Sequence, residues 1–324
     1  MTERNGRNGA GAAKVDRRRM MQCMAWAGTG VLWAVSGGVP HTVGLIGDAE
    51  AAQNAASGLH FVQISDSHIG FKLPANPDPV GTLGETIARI KKLPVEPAFL
   101  VHTGDISHTS KEAQWDAADQ VIKGANKQVF YIPGEHDVAD IDNGKAYLAR
   151  YGKGTHGRGW YSFDSAGVHF VALVNVFNFN PGFKSNGLAV IGDEQLEWLE
   201  KDLAPRSAST PIVVLAHLPL WTIYEPWGWG TADAGRAFAH LKRFGSVTVL
   251  NGHIHQIIQK VEGNVTLHTA ASTAYPQPAP GSAPAPGPKT VPADQLRQYL
   301  GLRNVDFALS RQGPPALTDS RLSA

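Results

Sequence analysis

The sequence predicts an α/β fold, α+β in its second half, with helices packed on sheet. Two observations carry that prediction. From Leu59 to Ile132, short apolar runs alternate with helix-period stripes in βαβαβ order. Beyond that point apolar runs close into hairpins before strands and helices alternate again. At 324 residues, with 43% hydrophobic and 18% charged residues, the chain has ample material for a core. A formal net charge of +1 argues against general nucleic-acid or membrane-surface binding.

The N-terminal segment, residues 1–51, reads as an export signal. Asp16-Arg17-Arg18-Arg19-Met20-Met21 has paired arginines before large apolar residues, and a Gly/Ala-rich apolar stretch runs from Met24 to Gly37. Ala49-Glu50-Ala51 offers a small-x-small cleavage site. Together these resemble a bacterial twin-arginine signal, which implies handling by that export machinery and a periplasmic or secreted product. The stretch is short of the ~20 apolar residues a membrane span needs, so no stable span is expected after cleavage. The single cysteine, Cys23, lies inside this segment. A mature chain without cysteine has no disulfide and no thiolate metal site, so any metal is held by nitrogen and oxygen.

Residues 58–275 carry the main domain. Residues 59–65 read as a strand, and Leu83, Ile87 and Ile90 fall at i, i+4, i+7 on a helix. A strand over 98–101, a helix over 112–123 and a strand over 128–132 complete the first half. Trp160–Phe163 and Val168–Val174 flank a turn at Ser165-Ala166-Gly167, a β-hairpin. Leu196, Leu199 and Leu203 mark a helix; strands at 211–216 and 247–250 enclose a helix at 232–243, and two short strands flank Gly263. Residues 276–292, PQPAPGSAPAPGPKTVP, read as an extended mobile loop. The tail, 293–324, contains a strand at Val305–Leu309 and is expected to pack back on the domain.

Five of these strands end in ionisable residues. The first runs into Asp66 and His68, the second into Asp105, and the third into Glu135, His136 and Asp137. The strand at 211–216 ends in His217, and that at 247–250 in His253 and His255. Ligands and catalytic groups collect at the carboxyl ends of strands in sheets of this kind. Alternation along extended backbone would put Asp66 with His68, and His253 with His255, on one side. Carboxylates and imidazoles without sulfur suit Mn, Fe, Zn or Ni, as two divalent or trivalent ions with a carboxylate between them. Such a pair polarises a phosphoryl group and generates hydroxide at neutral pH.

In this order the blocks Asp66-x-His68, Gly104-Asp105, Gly134-Glu135-His136-Asp137, His217 and Gly252-His253-x-His255 resemble the calcineurin-like metallophosphoesterase superfamily, its cyclic-nucleotide phosphodiesterase branch in particular. The resemblance implies a two-sheet β-sandwich flanked by helices. It implies that Asp66, His68 and His255 hold one metal, that Asp105 bridges, and that His217 and His253 hold the second. It also implies His136 beside the phosphate as general acid or transition-state stabiliser, with Asp137 orienting its imidazole, and a phosphodiester or nucleotide-like substrate.

Glu135 departs from the family pattern, which has asparagine there. A glutamate accepts but cannot donate, and it adds charge: three carboxylates around two divalent ions leave about +1 rather than about +2. Tighter metal binding and weaker attraction for an anionic ester follow. Three outcomes stay open: Glu135 as a ligand in a working enzyme, Glu135 turned away, or a metal- or phosphate-binding protein with little catalysis. His108, just past the second strand, is a candidate cleft residue. Trp221, Tyr224, Trp227 and Trp229, in a glycine-interrupted loop after His217, are candidates for a substrate wall.

Overall fold

The computed structural model describes residues 58–140, 142–177, 188–308 and 313–323, together with the backbone of a short hairpin near the N-terminus. Contacts divide the chain into Met1–Ala49 and Glu50–Ala324. In the first unit β1 (Leu32–Ser36) pairs antiparallel with β2 (Val39–Val43); the paired arginines and the proposed cleavage site lie outside the described residues. No described helix is long and apolar enough to cross a membrane.

The second unit holds two sheets. In the first, β3 (Leu59–Ile64), β4 (Leu100–His102) and β5 (Val129–Tyr131) run parallel, and β12 (Gly301–Phe307) and β13 (Ala316–Arg321) extend it antiparallel beyond β3. In the second, β7 (Val168–Ala172), β8 (Ile212–Leu215), β9 (Val247–Asn251) and β11 (Val265–Thr269) run parallel. Its edges are β6 (Tyr161–Ser165) and β10 (Gln259–Glu262), both antiparallel to their neighbours.

Strand alternation sorts the side chains into layers. Phe61, Val101, Phe170, Val213, Leu215, Leu250 and Val305 fill the space between the sheets. Phe61 meets Phe170 edge-on at 5.3 Å across that seam. On the outer face of the first sheet, Val62, Ile64 and Leu100 pack against α1 (Pro79–Ile90) and α2 (Glu112–Ile122). On the outer face of the second, Val171, Val214 and Val249 pack against α4 (Asp193–Leu203) and α5 (Ala234–Leu241). The architecture is the two-sheet sandwich flanked by helices that the sequence resemblance implies. Because β3, β4, β8 and β9 are buried along their whole length, they read as largely apolar runs, whereas β5 is partly exposed.

Two elements escape sequence reading. The seven-residue helix α3 (Lys145–Tyr151) is too short for a periodic stripe; its Tyr147 and Tyr151 pack edge-on to Trp115. Strand β13 has partly exposed, polar residues and depends on pairing with β12. The Pro-rich segment makes side-chain contacts with the domain. It is tied to the domain by bonds from Gln256 Nε2 to the Pro278 carbonyl (2.7 Å) and from Gln277 Nε2 to the His253 carbonyl (2.8 Å).

His268, on β11, is buried, and burial together with the Arg303 charge holds its pKa down to about 3. As pH falls below the ordinary 6.5, the unfolded chain takes up a proton here that the folded chain refuses. The stability present above pH 6.5 is therefore lost progressively towards pH 3, by at most about 1.4 kcal/mol per pH unit. Denaturant unfolding of His268→Leu should show a shallower loss of stability between pH 6 and 4; an unchanged slope would mean His268 is protonated in the fold.

Candidate metal centre

The five loops that leave β3, β4, β5, β8 and β9 meet at one end of the sandwich. The convergence does not use extended backbone. Asp66, His68, Asp105, His253 and His255 all have left-handed φ values, between 42° and 69°. Alternation along a strand is therefore not what brings Asp66 to His68, or His253 to His255. Each strand has already ended, and the chain curls so that successive side chains turn into a common space. Non-glycine residues rarely adopt this conformation, and it persists only where surroundings impose it. Here Asp66 N–H donates to the Gly104 carbonyl (2.9 Å), His68 N–H to the Asp105 carbonyl (2.8 Å), and His253 N–H to Asp66 Oδ1 (3.0 Å). Gly134 is required by close approach: a Cβ there would lie 2.0 Å from Asp105 Oδ1.

Two donor clusters result. In the first, His68 Nε2 lies 3.1 Å from His255 Nε2, which lies 3.3 Å from Asp66 Oδ1. In the second, Glu135 Oε2 is 2.9 Å from His217 Nε2 and Oε1 is 2.9 Å from His253 Nδ1. Asp105 Oδ2 sits between them, 3.5 Å from His68 Nε2 and 3.4 Å from His217 Nε2. Glu135 thus faces inward, which removes the alternative in which it turns away. The first sheet supplies Asp66, His68, Asp105 and Glu135; the second supplies His217, His253 and His255.

Hydrogen bonds aim the imidazoles. His217 Nδ1–H donates to the Thr103 carbonyl (2.6 Å) and His255 Nδ1–H to the Tyr275 carbonyl (2.6 Å). A carbonyl only accepts, so each Nε2 is left to present a lone pair to the cluster. Asn251 Nδ2 holds the carbonyls of Ala216 and Leu218 on either side of His217. Burial disfavours charge on Asp66 and Glu135, yet neighbouring histidines keep both acids below the ordinary range, Glu135 well below. Conversely His217 stays well above its ordinary value, because Asp105 and Glu135 outweigh its burial. His68 is driven well below 6.5 by burial and by three neighbouring imidazoles.

His136 stands over the first cluster, its ring 4.6 Å from that of His68 and nearly perpendicular to it. Its Nδ1–H donates to the His108 carbonyl (2.7 Å), and its N–H to Asp105 Oδ1 (2.9 Å). Burial opposes protonation of His136, but Asp105 and Glu135 raise its pKa overall. The expectation that Asp137 orients this imidazole is corrected by the structure. Asp137 instead accepts from the N–H groups of Ile106, Ser107 and Gly134, from Ser107 Oγ and from Trp115 Nε1. It fastens the Asp105 loop to the Glu135 loop. Burial and Asp105 push it up to about 6, so it remains largely ionised at neutral pH.

His108 is partly buried and stacks on His136 with 4.7 Å between ring centroids. The aromatic loop after His217 is a second correction. Trp227 and Trp229 are buried, edge to face at 4.9 Å, and pack with Ile254, the residue between His253 and His255; Tyr224 packs against them. Trp221 packs on the core beneath α5. Trp227 and Trp229 buttress the histidine loop from behind and do not line a substrate wall, because Ile254 offers them apolar surface; Trp221 and Tyr224 stay partly exposed. Sequence reading missed Tyr275, which stacks 4.8 Å from His68 and supplies the carbonyl for His255. It follows β11, so the rule that selected the other loops could have flagged it.

A family model of calcineurin-like phosphoesterases matches residues 59–257. The chain belongs to the calcineurin-like phosphoesterase family. By class it is a metal-dependent phosphoester hydrolase. It is 24% identical over 225 residues to a probable glycerophosphodiester phosphodiesterase of Arcobacter nitrofigilis, covering 66% of this chain and 78% of that one. It is 23% identical over 164 residues to a probable cyclic nucleotide phosphodiesterase of Rhodopseudomonas palustris, covering 50% of this chain and 57% of the relative. A dimetal phosphatase from Danio rerio shares the fold, with a TM-score of 0.59 at 14% identity over 82% of this chain and 96% of that structure.

The residues fit the metals that the family implies. Donor atoms 2.9–3.5 Å apart are spaced like neighbouring vertices around cations with bonds of about 2.1 Å. Asp66 Oδ2, Glu135 Oε2 and His217 Nε2 are buried without a well-formed hydrogen bond, a cost that a cation relieves. Since ligation needs His217 unprotonated and its pKa is raised, metal uptake should release protons, and affinity should rise as pH increases above 6.5. Calorimetry of zinc binding in buffers of different ionisation enthalpy checks this; uptake without proton release would mean that His217 is already neutral in the metal-free protein.

Proposed function

We propose that this family member hydrolyses a phosphodiester, or a nucleotide-like ester, at a dinuclear centre built from Asp66, His68, Asp105, Glu135, His217, His253 and His255. The observation that carries the proposal is Asp105 Oδ2, lying between two buried donor clusters with His136 beside them. Two bound cations would polarise phosphoryl oxygens and make water nucleophilic at neutral pH. The chain's own contribution is positioning and proton supply. His136 has its Nδ1–H committed to the His108 carbonyl, so proton delivery to a leaving oxygen falls to Nε2. Burial opposes the protonated form of His136, and the charges of Asp105 and Glu135 favour it. Preference for a diester draws support from two of the curated relatives, both named as probable phosphodiesterases; two others are named as purple acid phosphatases.

Glu135 favours one rival reading, a metal-binding protein of the same fold with little turnover. Its carboxylate spans His217 and His253 and adds negative charge where an anionic ester must approach. The test is hydrolysis of bis-p-nitrophenyl phosphate and p-nitrophenyl phosphate by metal-stripped protein, with Mn, Zn, Fe, Ni or Mg restored singly. Metal-restored diester cleavage is expected, about 100-fold or more slower in His136→Ala. Glu135→Asn should bind the second ion more weakly and show a lower KM for the diester. Two equivalents of metal bound with no cleavage, followed by a sharp gain in Glu135→Asn, would establish the rival reading.

Export through the twin-arginine route is part of the same proposal, supported by Arg17-Arg18-Arg19 and the apolar stretch that follows. Replacing the three arginines by lysine should leave the protein uncleaved in the cytoplasm in a fractionation experiment. Unaltered export of that variant would sink the idea.

A further inference from the structure

The histidines that turn Nε2 into the clusters differ in how their other nitrogen is held. His217 and His255 donate to backbone carbonyls. Nδ1 of His68 instead lies 3.3 Å from Nδ1 of a side chain, His108. If His68 Nε2 is a ligand, its proton sits on Nδ1, and His108 must receive it with a lone pair. His108 is built for a fixed position. Its N–H donates to the Ile69 carbonyl (3.0 Å) and to Gln114 Oε1 (3.2 Å). Its ring lies on His136 at an interplanar angle of 20°, and Phe71 meets it edge-on at 5.2 Å.

We propose that His108 is a positioning residue with two separable roles: its Nδ1 accepts from His68 and aims that ligand at the first ion, while its carbonyl aims His136. This inference rests on the metal-centre reading of Asp66, His68 and His255. The proposal requires one arrangement of protons: hydrogen on Nδ1 of His68, on Nε2 of His108 and on Nδ1 of His136, whose Nε2 carries a second one when it acts as acid. One side-chain substitution therefore removes the first role and leaves the second, because the carbonyl of residue 108 survives any replacement. The buried Asp66 and His255 would still form their part of the first cluster, and Glu135 is held by His217 and His253.

The experiment is cobalt(II) titration of the metal-stripped full chain, followed by calorimetry and visible absorption, with His108→Leu and His108→Asn beside the unsubstituted protein. Two equivalents are expected in each. In His108→Leu one equivalent should bind 10- to 100-fold more weakly, with its absorption bands altered, while the other is unchanged. Asparagine, whose Oδ1 stands where the imidazole Nδ1 stood and can accept, should restore most of that affinity. Equal affinities in His108→Leu and the unsubstituted protein would overturn the proposal. Equal weakening in leucine and asparagine variants would also overturn it, by making ring packing the cause. A third equivalent lost in both variants would mean that His108 ligates an ion directly. Failure of the unsubstituted protein to bind cobalt would overturn the metal-centre reading itself, and this inference with it.

Discussion

Three carboxylates buried in one small space set the terms for the rest of this molecule. Asp66, Asp105 and Glu135 are at most 9% exposed. Carboxylates removed from water are tolerated only when paired, hydrogen-bonded or bound to a cation. Histidines provide part of the compensation, which is why Asp66 and Glu135 stay acidic and His217 becomes basic despite burial. Compensation of this kind demands that seven side chains from five loops point inward together. The left-handed backbone at Asp66, His68, Asp105, His253 and His255 and the bare backbone at Gly134 are consequences of that demand.

The two donor clusters lie on the seam between the two sheets. The carboxylates and His68 ride on the first sheet, and His217, His253 and His255 ride on the second. The bond from His253 N–H to Asp66 Oδ1 and that from His217 Nδ1–H to the Thr103 carbonyl cross that seam. Sheet packing through Phe61 and Phe170 therefore does more than stabilise the fold, because a shift of one sheet would separate each cluster into two halves. An ion bound to both halves would in turn favour the packed state over the unfolded one.

Glu135 shows how one side chain changes the chemistry without changing the scaffold. It occupies the space where the family pattern has a neutral amide, and it reaches both His217 and His253. The extra charge favours cations and opposes anions, so affinity for metal and affinity for a phosphoester are pulled in opposite directions at one position. Burial of His136 opposes its protonated form, and the same charge, with that of Asp105, favours it.

The order of strands and helices was legible in the sequence because doubly buried parallel strands and amphipathic helices leave strong local patterns. The short helix at Lys145–Tyr151 and the edge strand at Ala316–Arg321 leave none. Asp66, His68, Asp105, Glu135, His136, His217, His253 and His255 could be named as a group because each follows a strand, which is information local to the chain. What the sequence could not decide is where each polar atom is spent. Asp137 serves the N–H groups of Ile106 and Ser107 rather than the adjacent imidazole, His136 is held by a carbonyl 28 residues away, and Trp227 and Trp229 turn inward onto Ile254. Residue identity and spacing determined which chemistry is present. The aim of each group was decided by tertiary structure alone, because its partners come from segments that only the closed sandwich brings within hydrogen-bond range.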